Sequence, residues 1–258
     1  MPKFAANLSF LFTDVAFLTR FAAAAQARFN AVEFLFPYEF SAQEIAARLK
    51  RHQLQNVLFN LPPGNWQAGE RGIAILPGRE AEFRQSVAKA IDYAITFECP
   101  RLHALAGIAP AGCDRHALNK IYVGNLRFAA EQLAKHDLTL LIEPINTFDM
   151  PGYFLNTQAE AFSICQQVGA SNIKMQMDIY HMQMMGEDLE ANIRRFLPHV
   201  GHIQIANVPG RHEPDAGEID YPNLFRLLDE LEYQGWIGCE YKPKTTTLEG
   251  LRWIEQYR

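Results

Sequence analysis

The chain has 258 residues, 48% of them hydrophobic, which allows a sizeable core and suits a (β/α)8 barrel of about 250 residues. Its formal net charge of −5 disfavours a nucleic-acid binder, which would carry a basic face. No apolar run approaches the roughly 18 residues that span a bilayer, the first residues lack a signal-peptide core, and the four cysteines form no CxxC pair. We therefore expect a cytoplasmic protein with reduced thiols and no membrane or nucleic-acid partner.

Strand-like and helix-like segments alternate eight times along the chain. The short apolar segments predicted as strands are residues 4–9, 31–36, 56–60, 101–107, 139–144, 173–178, 202–207 and 236–241. The segments predicted as helices lie near residues 14–28, 41–52, 79–98, 114–136, 157–168, 187–197, 222–232 and 248–256. Ser41, with Glu44 three residues later, forms a capping-box pattern at the start of the second helix.

Parallel strands joined by right-handed helical crossovers are the arrangement that this alternation predicts. Eight such units can close on themselves, so we expect an α/β fold, a (β/α)8 TIM barrel formed by a single domain over residues 1–258. A doubly wound open sheet is the alternative, although the chain has no GxGxxG or P-loop motif to support it.

Polar side chains stand where the last four apolar runs stop. They are Glu143, Asp178, Gln204 and Glu240, separated by 35, 26 and 36 residues. Because the carboxyl ends of parallel strands meet at one end of a barrel, these four oxygen-bearing side chains should converge.

Side chains alternate between the two faces of a strand, so Gln176 shares a face with Asp178, and His202 shares one with Gln204. Helices cover the outside of a barrel, which places the apolar faces outward and these polar residues inside. Buried polar groups need hydrogen-bond partners. We therefore expect a polar layer beneath the site.

Three converging carboxylates would repel one another without a cation. Mg²⁺ and Mn²⁺ accept carboxylate and amide oxygens, whereas zinc prefers thiolate and imidazole ligands. We therefore predict a Mg²⁺ or Mn²⁺ site with Glu143, Asp178, Gln204 and Glu240 as ligands. The alternative is that these are ordinary strand ends facing solvent.

Three cationic or imidazole side chains follow the same strand ends, namely His181, Arg211 and Lys242. We predict that they bind substrate. Arginine can hold a carboxylate through two parallel hydrogen bonds, and His181 could hold a carbonyl or hydroxyl group. Each could instead be a surface charge or a histidine satisfied within the core.

The segments LLIEPIN, QMDIYHMQ, HIQIAN, RHEPDAGEIDY and GWIGCEYKPKTTTLEGLRW resemble the hydroxypyruvate isomerase family of the xylose-isomerase-like TIM barrels. The similarity runs from end to end of the chain. It implies metal ligands at Glu143, Asp178, Gln204 and Glu240, with the two glutamates as the proton-transfer pair. Wider relatives, the ketose 3-epimerases, usually have histidine where this chain has Gln204.

The resemblance implies an intramolecular oxidoreductase of carbohydrate metabolism, an aldose–ketose type isomerase acting on a small oxo-hydroxy acid. Hydroxypyruvate would become 2-hydroxy-3-oxopropanoate (tartronate semialdehyde) through a cis-enediolate. The main alternative is a 2-oxo-tetronate isomerase of the same family. A ketose 3-epimerase, a metal-dependent nuclease of the same superfamily and a non-catalytic sensor are the others, and the assembly, monomer or homo-oligomer, is left open.

Overall fold

Eight parallel strands form a closed barrel in the computed structural model, which describes residues 1–258. The strands are β1 (Lys3–Asn7), β2 (Ala31–Phe34), β3 (Gln55–Asn60), β4 (Arg101–His103), β5 (Thr139–Ile142), β6 (Ile173–Asp178), β7 (Val200–Ile205) and β8 (Trp236–Cys239). Each strand pairs with the next along the chain, and β1 pairs with β8 to close the ring. This confirms the (β/α)8 TIM barrel and excludes the open sheet.

Helices occupy the connections between the strands. They are α1 (Phe17–Gln26), α2 (Ala42–His52), α3 (Glu80–Phe97), α4 (Arg115–Ala134), α5 (Gln158–Val168), α6 (Ile179–Met184), α7 (Leu189–Phe196), α8 (Tyr221–Glu230) and α9 (Thr247–Gly250). The capping box predicted at Ser41 is present, with the Glu44 carboxylate accepting a hydrogen bond from the Ser41 backbone N–H. None of the helices has both the length and the apolar composition needed to cross a bilayer.

Two of the predicted connections differ from the structure. The segment after β6 was expected to be a loop, but it turns at once into helix α6, whose first turn is capped by the Asp178 carboxylate accepting from the Tyr180 backbone N–H. The final helix expected near 248–256 is only the four residues of α9, followed by a 3₁₀ segment, Arg252–Tyr257. Short-range capping by Asp178 explains the first difference.

The barrel separates two apolar regions. A cluster of 72 buried residues lies largely between the strands and the helices, and it includes Met175 and Met177 of β6. A second, smaller cluster lies among the barrel strands themselves and contains Ala5, Ala31, Val57, Leu58 and Leu141. Alternation then places Asn7 above Ala5, and Glu143 above Leu141, toward the carboxyl ends of the strands.

Candidate functional site

A cavity of about 620 Å³ opens at the carboxyl ends of the barrel strands. Its volume falls in the range of small-molecule binding sites, roughly 300–1,000 Å³. Five of the seven predicted site residues line it: Glu143, His181, Arg211, Glu240 and Lys242. Asp178 and Gln204 lie beneath them, at 0% and 2% exposure.

Glu143, Asp178 and His181 bring three possible ligand atoms close together. One atom of each lies within 4.8 Å of the other two, and all three residues are buried. Glu143 directly follows β5, Asp178 ends β6, and His181 lies in the first turn of α6. The unexpected helix is therefore what brings the histidine back over the barrel.

Arg211 separates Glu240 from this group. Its Nη2 atom contacts Asp178 Oδ2 at 3.1 Å and makes a short contact with Glu240 Oε2. The guanidinium also lies over the rings of Phe10 and Tyr180, at 5.0 and 4.9 Å from their centroids. Charge pairing and stacking together fix this side chain between two of the predicted metal ligands.

Burial dominates the acid–base properties of the two glutamates. It raises the pKa of Glu143 well above its usual value, and repulsion from Glu240 and Asp178 raises that pKa further. Burial also raises the pKa of Glu240 to about 8, although the neighbouring Arg211 charge lowers it. Both carboxyl groups are thus stronger bases than a glutamate in water, which suits proton abstraction from carbon.

Asn146 determines which nitrogen of His181 carries the proton. The Asn146 Oδ1 atom accepts from the backbone N–H groups of Phe148 and Asp149 at 3.0 and 2.8 Å, so the amide orientation is fixed. Asn146 Nδ2, 2.7 Å from His181 Nδ1, must then donate to that ring nitrogen. Burial lowers the pKa of His181 well below its usual value, which keeps the ring neutral. His181 Nε2 therefore carries hydrogen.

The Nε2–H group of His181 faces the acidic group of the site. It lies 3.5 Å from Asp178 Oδ2 and 3.9 Å from Glu143 Oε1. In this tautomer the ring is a neutral hydrogen-bond donor rather than a metal ligand. A donor of this kind is what the sequence hypothesis, in which His181 holds a substrate oxygen, requires.

Gln204 belongs to a buried polar layer beneath the cavity. Its Nε2 donates to Glu33 Oε1 at 2.7 Å, and its Oε1 accepts from Gln176 Nε2 at 2.6 Å. His202 is hydrogen-bonded to the second oxygen of Glu33. The expected inward polar layer is therefore present, with Glu33, at 1% exposure, as its centre.

Sequence reasoning missed Glu33 and Asn7. Asn7 Nδ2 donates to Glu33 Oε1 at 2.9 Å and to Glu240 Oε1 at 3.1 Å, and so ties the polar layer to a predicted catalytic residue. The available signal was a lone acid in the apolar run AVEF and a lone amide in FAANLS. Neither residue ends its segment with the change of composition that revealed the other four.

His103 of β4 was also missed. Its Nδ1 lies 3.6 Å from Glu143 Oε2, and neither ring nitrogen has a hydrogen-bond partner in the chain. Burial lowers the pKa of His103 to about 3, with repulsion from His202 adding to the effect. This ring is neutral, so it packs against Glu143 without forming an ion pair.

Lys242 is exposed at the rim of the cavity, where its side chain makes no ion pair. Its backbone N–H donates to the Arg211 carbonyl at 2.7 Å, which joins the loop after β7 to the loop after β8. Arg211 itself has a left-handed backbone, with a φ of 59°. The two loops therefore hold both cationic side chains against the same cavity.

The residues present fit a divalent cation. Glu143 Oε1 is buried and has no hydrogen-bond partner in the chain. Asp178 lies close enough to Glu143 for both carboxylates to coordinate the same ion. A cation would also relieve the mutual repulsion that raises the pKa of Glu143. Carboxylate oxygens are the ligands that hard divalent cations prefer.

Comparison with known proteins gives consistent matches over the whole chain. The model of the xylose isomerase-like TIM barrel family matches residues 21–257. The chain is 53% identical to a 2-oxo-tetronate isomerase from Cupriavidus necator, over 100% of this chain and 99% of that protein. It is 48% identical to the hydroxypyruvate isomerase of Escherichia coli, over 100% of both chains. A crystal structure of an AP endonuclease, family 2, from Brucella melitensis matches with a TM-score of 0.98 and 51% identity over both full chains.

Proposed function

The chain belongs to the xylose isomerase-like TIM barrel family, as its motifs predicted, and we propose that it interconverts hydroxypyruvate and 2-hydroxy-3-oxopropanoate. Relatives of 48% and 53% identity over the full length are isomerases, which supports an enzyme of the isomerase type. The observation that carries the proposal is the pair of buried glutamates, Glu143 and Glu240, lining one cavity from strands three places apart in the barrel.

In the proposed site, Glu143 and Asp178 would hold Mg²⁺ or Mn²⁺, and Gln204 and Glu240 would supply further oxygen ligands. When bound, the cation supplies positive charge that stabilises an enediolate, an effect worth several kcal/mol. Gln204 would use the second lone pair of its amide oxygen, since Gln176 already donates to the first.

Proton transfer is assigned to the two glutamates. One takes a proton from C3 of hydroxypyruvate, the hydroxyl-bearing carbon, which leaves a planar cis-enediolate across C2 and C3. The other delivers a proton to C2, while the hydroxyl proton on O3 passes to O2 and C3 becomes the aldehyde. The product, 2-hydroxy-3-oxopropanoate, has the same atoms as the substrate. The first glutamate then loses its proton to solvent and the second takes one up, which restores the starting enzyme. General acid–base help of this kind contributes about 10²- to 10⁴-fold to the rate.

His181 acts on the substrate and Arg211 acts on Glu240. The Nε2–H group of His181 donates to a substrate oxygen beside Glu143, as its tautomer requires. Arg211 pairs with Glu240 and favours its ionised form, which is the form that can act as a base. Asn146 and Tyr180, which both bond to Asp149 Oδ2, hold the neighbouring loop in place.

The test is conservative substitution of each glutamate. Glu143→Gln and Glu240→Gln should fold with far-ultraviolet spectra like the wild type, and each should reduce kcat by about 10²-fold or more. Glu131→Gln, an exposed position on α4, is the matched control and should retain full activity. If either active-site variant kept most of its kcat with Mg²⁺ present, its assigned proton transfer would be wrong.

A second candidate substrate is 2-oxo-tetronate, which is one carbon longer. It is favoured by the 53% identity to a 2-oxo-tetronate isomerase and by a cavity of about 620 Å³, which leaves room for the extra carbon. Comparing kcat/KM for the two acids decides between them. Product analysis also separates isomerisation from 3-epimerisation, because only isomerisation moves the carbonyl.

A further inference from the structure

The loop after β3 carries an arginine that also lines the cavity. We propose that Arg71 binds the carboxylate of the substrate and so restricts the enzyme to oxo acids, an inference that rests on the proposed function. The alternative cationic groups at the cavity are Arg211 and Lys242. The contacts of these three side chains favour Arg71 as the group that binds the carboxylate.

The charge of Arg211 is already compensated. Its guanidinium lies between the carboxylates of Asp178 and Glu240 and is 14% exposed, so an incoming carboxylate would compete with two buried acids. Lys242 carries an uncompensated charge, but its side chain is exposed and makes no hydrogen bond that would fix it. Ordering a free lysine on binding costs conformational entropy.

Arg71 combines an uncompensated charge with a fixed position. No carboxylate of the chain forms an ion pair with it. Its Nη1 atom donates to the backbone carbonyls of Trp66 and Glu70 at 3.1 and 2.8 Å, which leaves Nε and Nη2 without partners in the chain. The guanidinium stacks over the Trp66 ring at 4.0 Å from its centroid, and Trp66 in turn packs on Phe36 at 5.0 Å.

The loop that carries Arg71 is itself anchored. The Glu70 carboxylate accepts from the Asn65 backbone N–H and pairs with Arg79, which also binds Glu82 of α3. The next residue, Gly72, has a φ of 104°, and a side chain there would lie 2.6 Å from the Leu105 carbonyl carbon. The backbone beside Arg71 therefore packs closely against the segment after β4.

These contacts make Arg71 a preorganised anion-binding group. Such a group loses little freedom when it binds a carboxylate, so most of the interaction contributes to affinity. It lies in a cavity with apolar lining from Leu35, Leu105 and Met150, where a charged hydrogen bond is stronger than in water. A neutral ketone of the same size would leave the charge uncompensated.

The experiment compares hydroxypyruvate with dihydroxyacetone, which differs only by a hydroxymethyl group in place of the carboxylate. Arg71→Gln should lower kcat/KM for hydroxypyruvate far more than for dihydroxyacetone. The preference for the acid should fall by on the order of 10²-fold, mainly through KM. Arg71→Lys should retain part of this preference, because it keeps the charge but loses the planar stack.

Arg84→Gln is the matched control. Arg84 also stacks on an aromatic ring, at 4.9 Å from the Phe128 centroid, but it lies outside the cavity. The variant should keep the wild-type preference. If Arg71→Gln lowered kcat/KM equally for both substrates, its role would be structural, and the proposal would be overturned.

Calorimetric titration with pyruvate separates this inference from the proposed function. Pyruvate carries the oxo acid group but no adjacent hydroxyl, so it cannot isomerise. With Mg²⁺ present, the Kd should rise at least about 10-fold in Arg71→Gln. An unchanged Kd would overturn the role of Arg71. A different outcome would overturn the proposed function alone. In that case pyruvate binding would depend on Arg71, but the wild-type protein would isomerise neither hydroxypyruvate nor 2-oxo-tetronate.

Discussion

Replacing Gly238 with alanine tests the buried layer beneath the site. Gly238 lies in β8, beside Glu33 across the barrel interior, and an added Cβ would lie 2.5 Å from Glu33 Cδ and closer still to both carboxylate oxygens. Ordinary van der Waals contact begins near 3.4 Å, so the overlap is about 1 Å. Glu33 cannot yield easily, because Asn7, His202 and Gln204 all hold its carboxylate.

The cost follows from two terms. Overpacking a well-filled interior costs about 1–3 kcal/mol. If Glu33 shifts, it loses at least one hydrogen bond to a buried charge, worth about 1.5–3 kcal/mol. We expect Gly238→Ala to lower the free energy of unfolding by about 3–5 kcal/mol. In a chain of this length that corresponds to a fall in Tm of about 10 °C.

Urea unfolding followed by circular dichroism provides the measurement. Gly124→Ala is the matched control, because Gly124 is exposed in α4 and nothing lies within 4 Å of its added Cβ. It should be neutral or stabilise by up to about 1 kcal/mol. A loss below about 1 kcal/mol in Gly238→Ala would refute the reasoning. So would additive effects of Gly238→Ala and Glu33→Ala, since removing Glu33 should remove the clash.

Two further predictions concern regions away from the cavity. In native protein at pH 8, only Cys113 should react rapidly with a thiol reagent. Cys113 is exposed, whereas burial raises the pKa of both Cys99 and Cys165 to about 12 and disfavours their thiolates. A rapid phase of thiol labelling that persisted in Cys113→Ser would contradict this prediction. Ser41→Ala should lower the free energy of unfolding in urea by about 1 kcal/mol, because it removes the cap of α2. The control Ser171→Ala, at an exposed turn, should leave that free energy almost unchanged. Equal losses in the two variants would contradict the capping role.

Much of the architecture could be predicted from local patterns. Each strand was predicted because a short apolar run is itself the signal of a strand buried on both faces. The ends were less certain: Glu143 and Glu240 fall one residue beyond β5 and β8 rather than within them. Helix α6 was missed because its six residues are too short for a periodic pattern, and only the Asp178 cap marks its start.

A site residue could be predicted only where its immediate neighbours in the sequence mark it out. A polar side chain that ends an apolar run can be read from its neighbours, as with Asp178. The role of Asn146 cannot, because it depends on two backbone N–H groups and a histidine 35 residues away meeting at one amide. The position of Arg211 between two carboxylates likewise depends on three segments meeting, which no local pattern records.

The hydrogen bond from Asn7 to Glu240 joins residues 233 positions apart. It forms only when the last strand of the barrel docks beside the first, which is a slow event because most of the chain must first be ordered. The lining of the cavity is therefore complete only after β8 has docked, because Glu240 and Lys242 directly follow that strand. Isomerase activity should consequently return late in refolding, after most helical structure has been regained.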